Sequence, residues 1–309
     1  MKLILFILKP QFSAYIGRMK RYIAALILTL IPGLAWAAAP SLPAMRPITV
    51  EYDIYVGGLH LLHAKAHADL DAKTYRLAAR AQTIGIWEKW FPWETTVESV
   101  GHTAAGGKIK PSHYKTVSAW KHNPKSMLLD YQDGGKVMIA EESTDAPDLH
   151  DRLSDDIVNQ TLDPLSGLLQ LLAHYTVHND CNAQTAVFDG RRRFDLAADD
   201  LGAVTIPADP DTGVFSGAAR KCALRFNLIA GKAKEMESRK FWQTAKGKDN
   251  RPPFTVWLGR LQPGMPSLPV RAETSSPFGL VMIYLTAWRF DDAPVAPELT
   301  RRMAKAKLR

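Results

Sequence analysis

"YDIYVGGLHLLHAKAHADL", Tyr52 to Leu70, is the stretch on which the fold turns. Tyr52, Ile54 and Val56 fall on one parity, Gly57-Gly58 follows, and Leu62, Ala64, Ala66, Ala68 and Leu70 then alternate with His63, Lys65, His67 and Asp69. Period 2 places successive side chains on opposite faces, so each run reads as a strand with one buried and one wet face. The glycine pair between the runs is a hairpin signal. These first strands therefore form an antiparallel β-hairpin.

The same pattern continues outward. Strand candidates follow at Tyr75 to Gln82, Glu94 to Val100, His113 to Ala119, Ser126 to Tyr131 and Gly135 to Ile139, with Asp133-Gly134-Gly135 as a second hairpin signal. One helix interrupts the series. In "DPLSGLLQLLAHYTV", Leu165, Leu168, Leu169 and Leu172 recur at i, i+3, i+4, i+7, with Asp163 suited to the N-cap and Pro164 to the first turn. Strand signals then resume at Thr185 to Phe188, Arg191 to Leu196, Ala218 to Ile229, Phe254 to Leu261, Leu268 to Glu273 and Gly279 to Trp288. Neither an internal repeat nor βαβ alternation is present, which disfavours a parallel sheet. The expected class is mainly β: a curved antiparallel sheet, or an open barrel-like fold, with one long helix packed against it. The acidic stretch Glu141 to Asp156 and the mainly basic stretch Lys232 to Pro253 read as loops, and residues 291–309 as a basic, solvated tail.

Residues 1–37 read as a signal peptide. Arg18, Lys20 and Arg21 precede the apolar run Tyr22 to Ala37, and Ala35-Trp36-Ala37 supplies a small-x-small cleavage pattern. Met19 is a plausible true start. A retained membrane anchor is the alternative, opposed by Pro32-Gly33 within the run. The segment carries five basic residues and no acid, so the formal charge of +8 falls to +3 without it. That removes the main support for nucleic-acid binding. Residues 38–290 then form a single β-rich domain in an exported, periplasmic protein. Cys181 and Cys222 are the two cysteines; in an oxidising compartment they are expected to pair, closing a loop of roughly 40 residues worth about 4 kcal/mol in the chain-entropy model. Two buried free thiols are the other reading, and no Cys-x-x-Cys spacing supports a redox role.

Candidate chemistry is sparse. His60, His63 and His67 would share a face only on a helix, whereas the local alternation is that of a strand, so no metal site is expected. Ser166 and Ser216 do not complete G-x-S-x-G, and neither a zincin motif, a P-loop nor a dinucleotide fingerprint is present. No catalytic residue or cofactor is expected, although a carboxylate pair for glycoside chemistry has no fixed spacing to look for. In "FDGRRRFDL" a strand beginning at Arg191 would put Arg192 on the face of Phe194 and Leu196, either in a structural Arg–Asp pair or as a contact for an anionic head group. In "GIWEKWFPW", Trp87, Trp90 and Phe91 lie on a short helical turn ended by Pro92, reading either as core or as the apolar mouth of a ligand site.

Six short motifs occur in order: the Tyr52–Gly58 opening, "KPSHY" (Lys110 to Tyr114), "DPLSGLL" (Asp163 to Leu169), "VFDGRRRFDL" (Val187 to Leu196), the cysteine strand ending in "IAG" (Cys222 to Gly231) and "PVRAE" (Pro269 to Glu273). Together they resemble the exported bacterial domain-of-unknown-function 3108 family. The resemblance implies a periplasmic, antiparallel β-rich protein and carries over no catalytic residue; an open barrel like that of periplasmic lipoprotein carriers is a fold-level analogy. The leading functional expectation is a non-enzymatic envelope protein that binds an apolar or amphipathic ligand, with Trp87, Trp90, Phe91 and Arg192 at its site. A ligand-free interaction scaffold and an enzyme acting on envelope polysaccharide are the alternatives. The basic tail is expected to touch anionic lipid.

Overall fold

The computed structural model describes residues 44–121, 123–143, 152–209, 215–231 and 254–291. The signal-peptide reading, the basic stretch Lys232 to Pro253 and the tail beyond Asp291 lie outside these residues.

Thirteen strands form one sheet: β1 (Met45–Val56), β2 (Leu59–Leu70), β3 (Thr74–Thr83), β4 (Trp93–Ala104), β5 (Lys108–Trp120), β6 (Asn123–Tyr131), β7 (Val137–Glu142), β8 (Ala183–Phe188), β9 (Arg193–Ile206), β10 (Gly217–Ala230), β11 (Phe254–Gly259), β12 (Leu268–Ser276) and β13 (Gly279–Phe290). Short helices α1 (Ile86–Trp90) and α2 (Asp155–Val158), the longer α3 (Pro164–His178) and two 3-10 turns, Ala105–Gly107 and Asp133–Gly135, complete the described elements. The sheet order is β7-β6-β5-β4-β3-β2-β1-β13-β12-β11-β10-β9-β8, antiparallel throughout. Two meanders thus spread in opposite directions from a central β1–β13 pair, where Ile48 faces Phe290 and Val56 faces Val281.

The parity read from the sequence holds in space. Ile48 and Val50 of β1, Leu70 of β2 and Tyr75 of β3 are buried on the inner face, with Ala66, Ala68 and Leu77 packed against them. The outer face carries charge: Glu51–Lys65 at 3.2 Å, Arg76–Glu98 at 3.1 Å and Arg80–Glu94 at 2.8 Å. Exposed pairs of this kind contribute little stability, but they keep that face wet and fix which face turns inward. His63 belongs to this outer layer, with Nδ1 2.8 Å from Asp53 Oδ1.

Helix α3 forms where Asp163 accepts the backbone N–H of Ser166 at 3.0 Å and Pro164 sits in the first turn, and it ends at Asn179 in the left-handed region. It does not present a single stripe. Leu169, Leu171 and Ala173 are buried whereas Leu168 is exposed, because the helix lies inside the curve of the sheet, against β4 and β5 on one side and β8 on the other. Close approach to β8 requires Gly167: a Cβ there would stand 2.8 Å from Val187 Cγ2.

The sheet is not closed into a barrel, since β7 and β8 do not pair. The chain between α2 and α3 bridges the gap instead. Asn159 Oδ1 accepts the Val137 N–H at 2.9 Å and the Gln160 N–H donates to Gly135 O at 2.7 Å, holding the β7 edge. Leu162 donates to Ala186 O and accepts from the Phe188 N–H, both at 2.8 Å, holding the β8 edge. Both edges are thereby occupied at the seam, where unpaired strands would invite another chain.

Four boundaries differ from expectation. Glu141 and Glu142 belong to β7, and Asp155 and Asp156 to α2, so both ends of the acidic stretch are regular structure, and residues 144–151 lie outside the described residues. The strand after Gly190 starts at Arg193, because Asp189 Oδ1 accepts the N–H groups of Arg191 and Arg192 and holds both residues in a turn. Asp291 is no part of a free tail: it accepts from Thr49 Oγ1 at 2.6 Å and lies 3.0 Å from His67 Nδ1.

Candidate functional site

A polar knot sits at the start of α3. Asp163 and Ser166 are fully buried; Asp163 Oδ2 accepts from Ser99 Oγ at 2.9 Å and from Ser166 Oγ, and Tyr75 Oη lies 2.6 Å from Ser166 Oγ. Burial pushes the Asp163 carboxyl above the ordinary range against the pull of these donors, and burial likewise raises the Tyr75 and Tyr114 hydroxyls, with the Asp163 charge adding to both. A serine, a carboxylate and a tyrosine within hydrogen-bond reach resemble nucleophile machinery, but a nucleophile must meet its substrate. Ser166 and Ser99 have no exposed surface. The arrangement ties the helix start to β3 and β4, satisfying each buried polar group through its neighbours.

Beyond the knot, α3 does not fill the space it spans. A cavity of about 240 Å³ lies between the helix and the inner face of the sheet. Leu168, Leu169 and Leu172 of α3 face Ile48, Val50 and Tyr52 of β1, with Leu224 of β10 and Val256 and Leu258 of β11 on the far side. The gap exists because the strands beneath it carry small residues. Ala66 and Ala68 of β2, Ala79 of β3 and Ala198 of β9 line it where leucines would fill it. The lining is almost wholly apolar, and the Tyr52 hydroxyl is already committed to Pro269 O at 2.9 Å. Cys181 and Cys222, bonded as a disulfide with Cα atoms 6.0 Å apart, form part of the wall and join the start of β8 to β10.

The cavity wall is reached from the outside at Leu168, 39 % exposed. The neighbouring inner face rises into an aromatic cluster, Phe194, Phe226 and Phe254, with successive ring centroids 5.8 Å apart. Phe226 and, further along β10, Leu228 are exposed among the described residues, so this part of the concave face is an apolar surface open to solvent.

The residues singled out in the sequence lie elsewhere. Helix α1 buries none of its residues; Trp90 is 68 % and Phe91 52 % exposed. These aromatics therefore form an exposed tip between β3 and β4 and do not line the cavity. Phe91 lies 6.4 Å from Trp120 at the end of β5. Arg192 is not on the face of Phe194: it precedes β9 and its guanidinium pairs with Asp189 at 2.6 Å. Arg193 pairs with Asp195 at 2.7 Å, as expected of the outer parity. Among the described residues no group of three or more histidine, cysteine or acidic side chains converges as a metal site, and no helix is long and apolar enough to cross a membrane. The cavity residues were missed because alternation was read for polarity and not for size; the inward alanines of β2 and β3 were the available signal.

Fold and site together define a class: an open antiparallel sheet wrapped on one helix, with an apolar cavity between them. The chain belongs to the family described as "Protein of unknown function (DUF3108)", whose model matches residues 51–286. Among solved structures it is similar to a beta-barrel-like protein of domain of unknown function DUF1849 from Brucella abortus, at 13% sequence identity and a TM-score of 0.48, over 81% of this chain and 100% of that chain. No curated protein matches the chain significantly.

Proposed function

We propose that this chain is a non-enzymatic protein of the cell envelope that holds the apolar part of an amphipathic ligand, such as an acyl chain, between α3 and the sheet. The observation that carries the reading is the cavity of about 240 Å³. Ligand pockets begin at roughly 300 Å³, and the open concave surface beside the cavity extends the space available. The lining is almost wholly apolar, which selects against sugars and nucleotides, since these need several fixed polar partners. Export to the periplasm belongs to the same proposal. It is supported by the basic and apolar segments within residues 1–37 with their Ala35-Trp36-Ala37 pattern, and the Cys181–Cys222 bond is compatible with it.

The test is uptake of a fluorescent fatty-acid analogue by wild type and by A66F, which fills the cavity from β2. Saturable uptake by wild type and its loss in a folded A66F protein support the reading. Equal signals from both proteins, or none from either, contradict it and favour a ligand-free scaffold.

A further inference from the structure

Alternation of strand direction sorts the turns of the sheet into two ends. One end carries the β1–β2 turn, α1 between β3 and β4, the β5–β6 turn, the β12–β13 turn and the last residues of β10. Nine of the thirteen large hydrophobic residues exposed among the described residues lie at this end, including Leu59, Ile86, Trp90, Phe91, Ile229 and Phe278, the last at 66 % exposure. The described turns of the opposite end carry none of them. Singly exposed apolar side chains are ordinary, but such a concentration marks an interaction surface.

We infer that this end of the sheet docks onto a lipid bilayer, its hairpin tips entering the interface and presenting the concave apolar face to the membrane. The exposed side chains come from four turns and the end of β10 along one rim of the sheet, some of them touching, as Phe91 and Trp120 do at 6.4 Å; such an extended apolar rim suits a soft interface, which needs no complementary shape. Tryptophan is suited to the headgroup boundary, where its ring is apolar and its N–H stays wet. Charge favours an anionic surface. Lys89 and Lys121 are exposed among the tips. Basic residues beside apolar anchors supply the second of the two signals that stable membrane association needs. This goes beyond the cavity reading and does not require it: docking would stand if the cavity were empty, although with both in place an acyl chain could pass between bilayer and cavity without crossing water.

The experiment is co-sedimentation of the purified full chain with vesicles of phosphatidylethanolamine and phosphatidylglycerol, and with neutral phosphatidylcholine vesicles, for wild type, W90S and F278S. Both substitutions are on exposed side chains in different turns, so an unchanged urea midpoint is expected of each. Wild type is expected to sediment with the anionic vesicles, more weakly as salt is raised, and each substitution to weaken partition about ten-fold, the worth of burying one large apolar side chain. Brominated lipid should quench the wild-type tryptophan emission. Absence of binding by wild type, or equal binding by both variants, overturns the inference. So does self-association in sedimentation velocity that W90S abolishes while vesicles take up no protein. Uptake of the fatty-acid analogue, measured on the same proteins, separates this failure from failure of the cavity reading.

Discussion

Replacing Asp163 by alanine tests whether the knot under α3 is structural. Asp163 accepts the Ser166 N–H at 3.0 Å as the helix cap and receives the hydroxyls of Ser99 and Ser166 on its other oxygen. Loss of the cap costs about 1 kcal/mol. Each buried hydroxyl left without an acceptor costs about 1–3 kcal/mol, but Ser99 and Ser166 lie 2.9 Å apart and Tyr75 is within reach, so one of the two finds a new partner. The sum is about 3 kcal/mol, which should lower the urea midpoint by about 1 M with an unchanged slope. D163N should lose less, because the amide oxygen keeps the cap and the hydroxyls can turn to accept. The pair also carries a pH signature. Burial raises the Asp163 carboxyl, so the native state binds that proton more tightly than the unfolded chain. The stability it contributes is full below the unfolded value of ~3.9 and is lost as pH rises through the folded value. Stability of D163N relative to wild type should therefore improve from acid towards neutral pH. A D163A protein within 1 kcal/mol of wild type, or a D163N difference flat with pH, would refute the assignment.

Four further outcomes follow from the same geometry. Removing the disulfide as C181A/C222A should destabilise the protein by about 4 kcal/mol, given a sequence separation of 41 residues, and should loosen probe binding because the bond is part of the cavity wall; urea titration and fatty-acid uptake read the two effects. G167V should cost at least about 2 kcal/mol by overpacking against Val187, where even a Cβ would stand 2.8 Å away, while a mere propensity effect would stabilise the helix. N159A should cost about 1–2 kcal/mol by stranding the Val137 N–H at the seam, visible as faster amide exchange in β7. R192A should change stability by less than about 1 kcal/mol and leave fatty-acid uptake unchanged, since its guanidinium is partly exposed and pairs with Asp189 within its own turn; lost uptake would restore it to the ligand site.

Most of the fold was legible because antiparallel sheets write their register in period 2. The Leu62–Leu70 alternation placed Ala66 and Ala68 inward and Lys65 and His67 outward, and the structure keeps that assignment. The helix start was equally plain, as Asp163 and Pro164 act locally. What the sequence did not expose are effects between distant segments. The seam made by Asn159, Gln160 and Leu162 joins β7 and β8, strands that follow one another in the chain but stand at opposite edges of the sheet and do not pair. The knot joins residues 64 and 91 positions apart. Arg192 went astray because Asp189 captures two backbone N–H groups and delays the strand by two residues. For the aromatics, polarity alone does not distinguish a core tryptophan from one at an exposed tip; that depends on where a turn falls.

The most direct test of the account is native mass spectrometry of the protein isolated from an envelope extract, followed by organic extraction of what it carries, for wild type and A66F. The account predicts one lipid-sized adduct per wild-type chain and a bare mass for A66F. A bare mass for both under gentle conditions, or an adduct that A66F retains, would contradict the claim that the space between α3 and the sheet is a binding site.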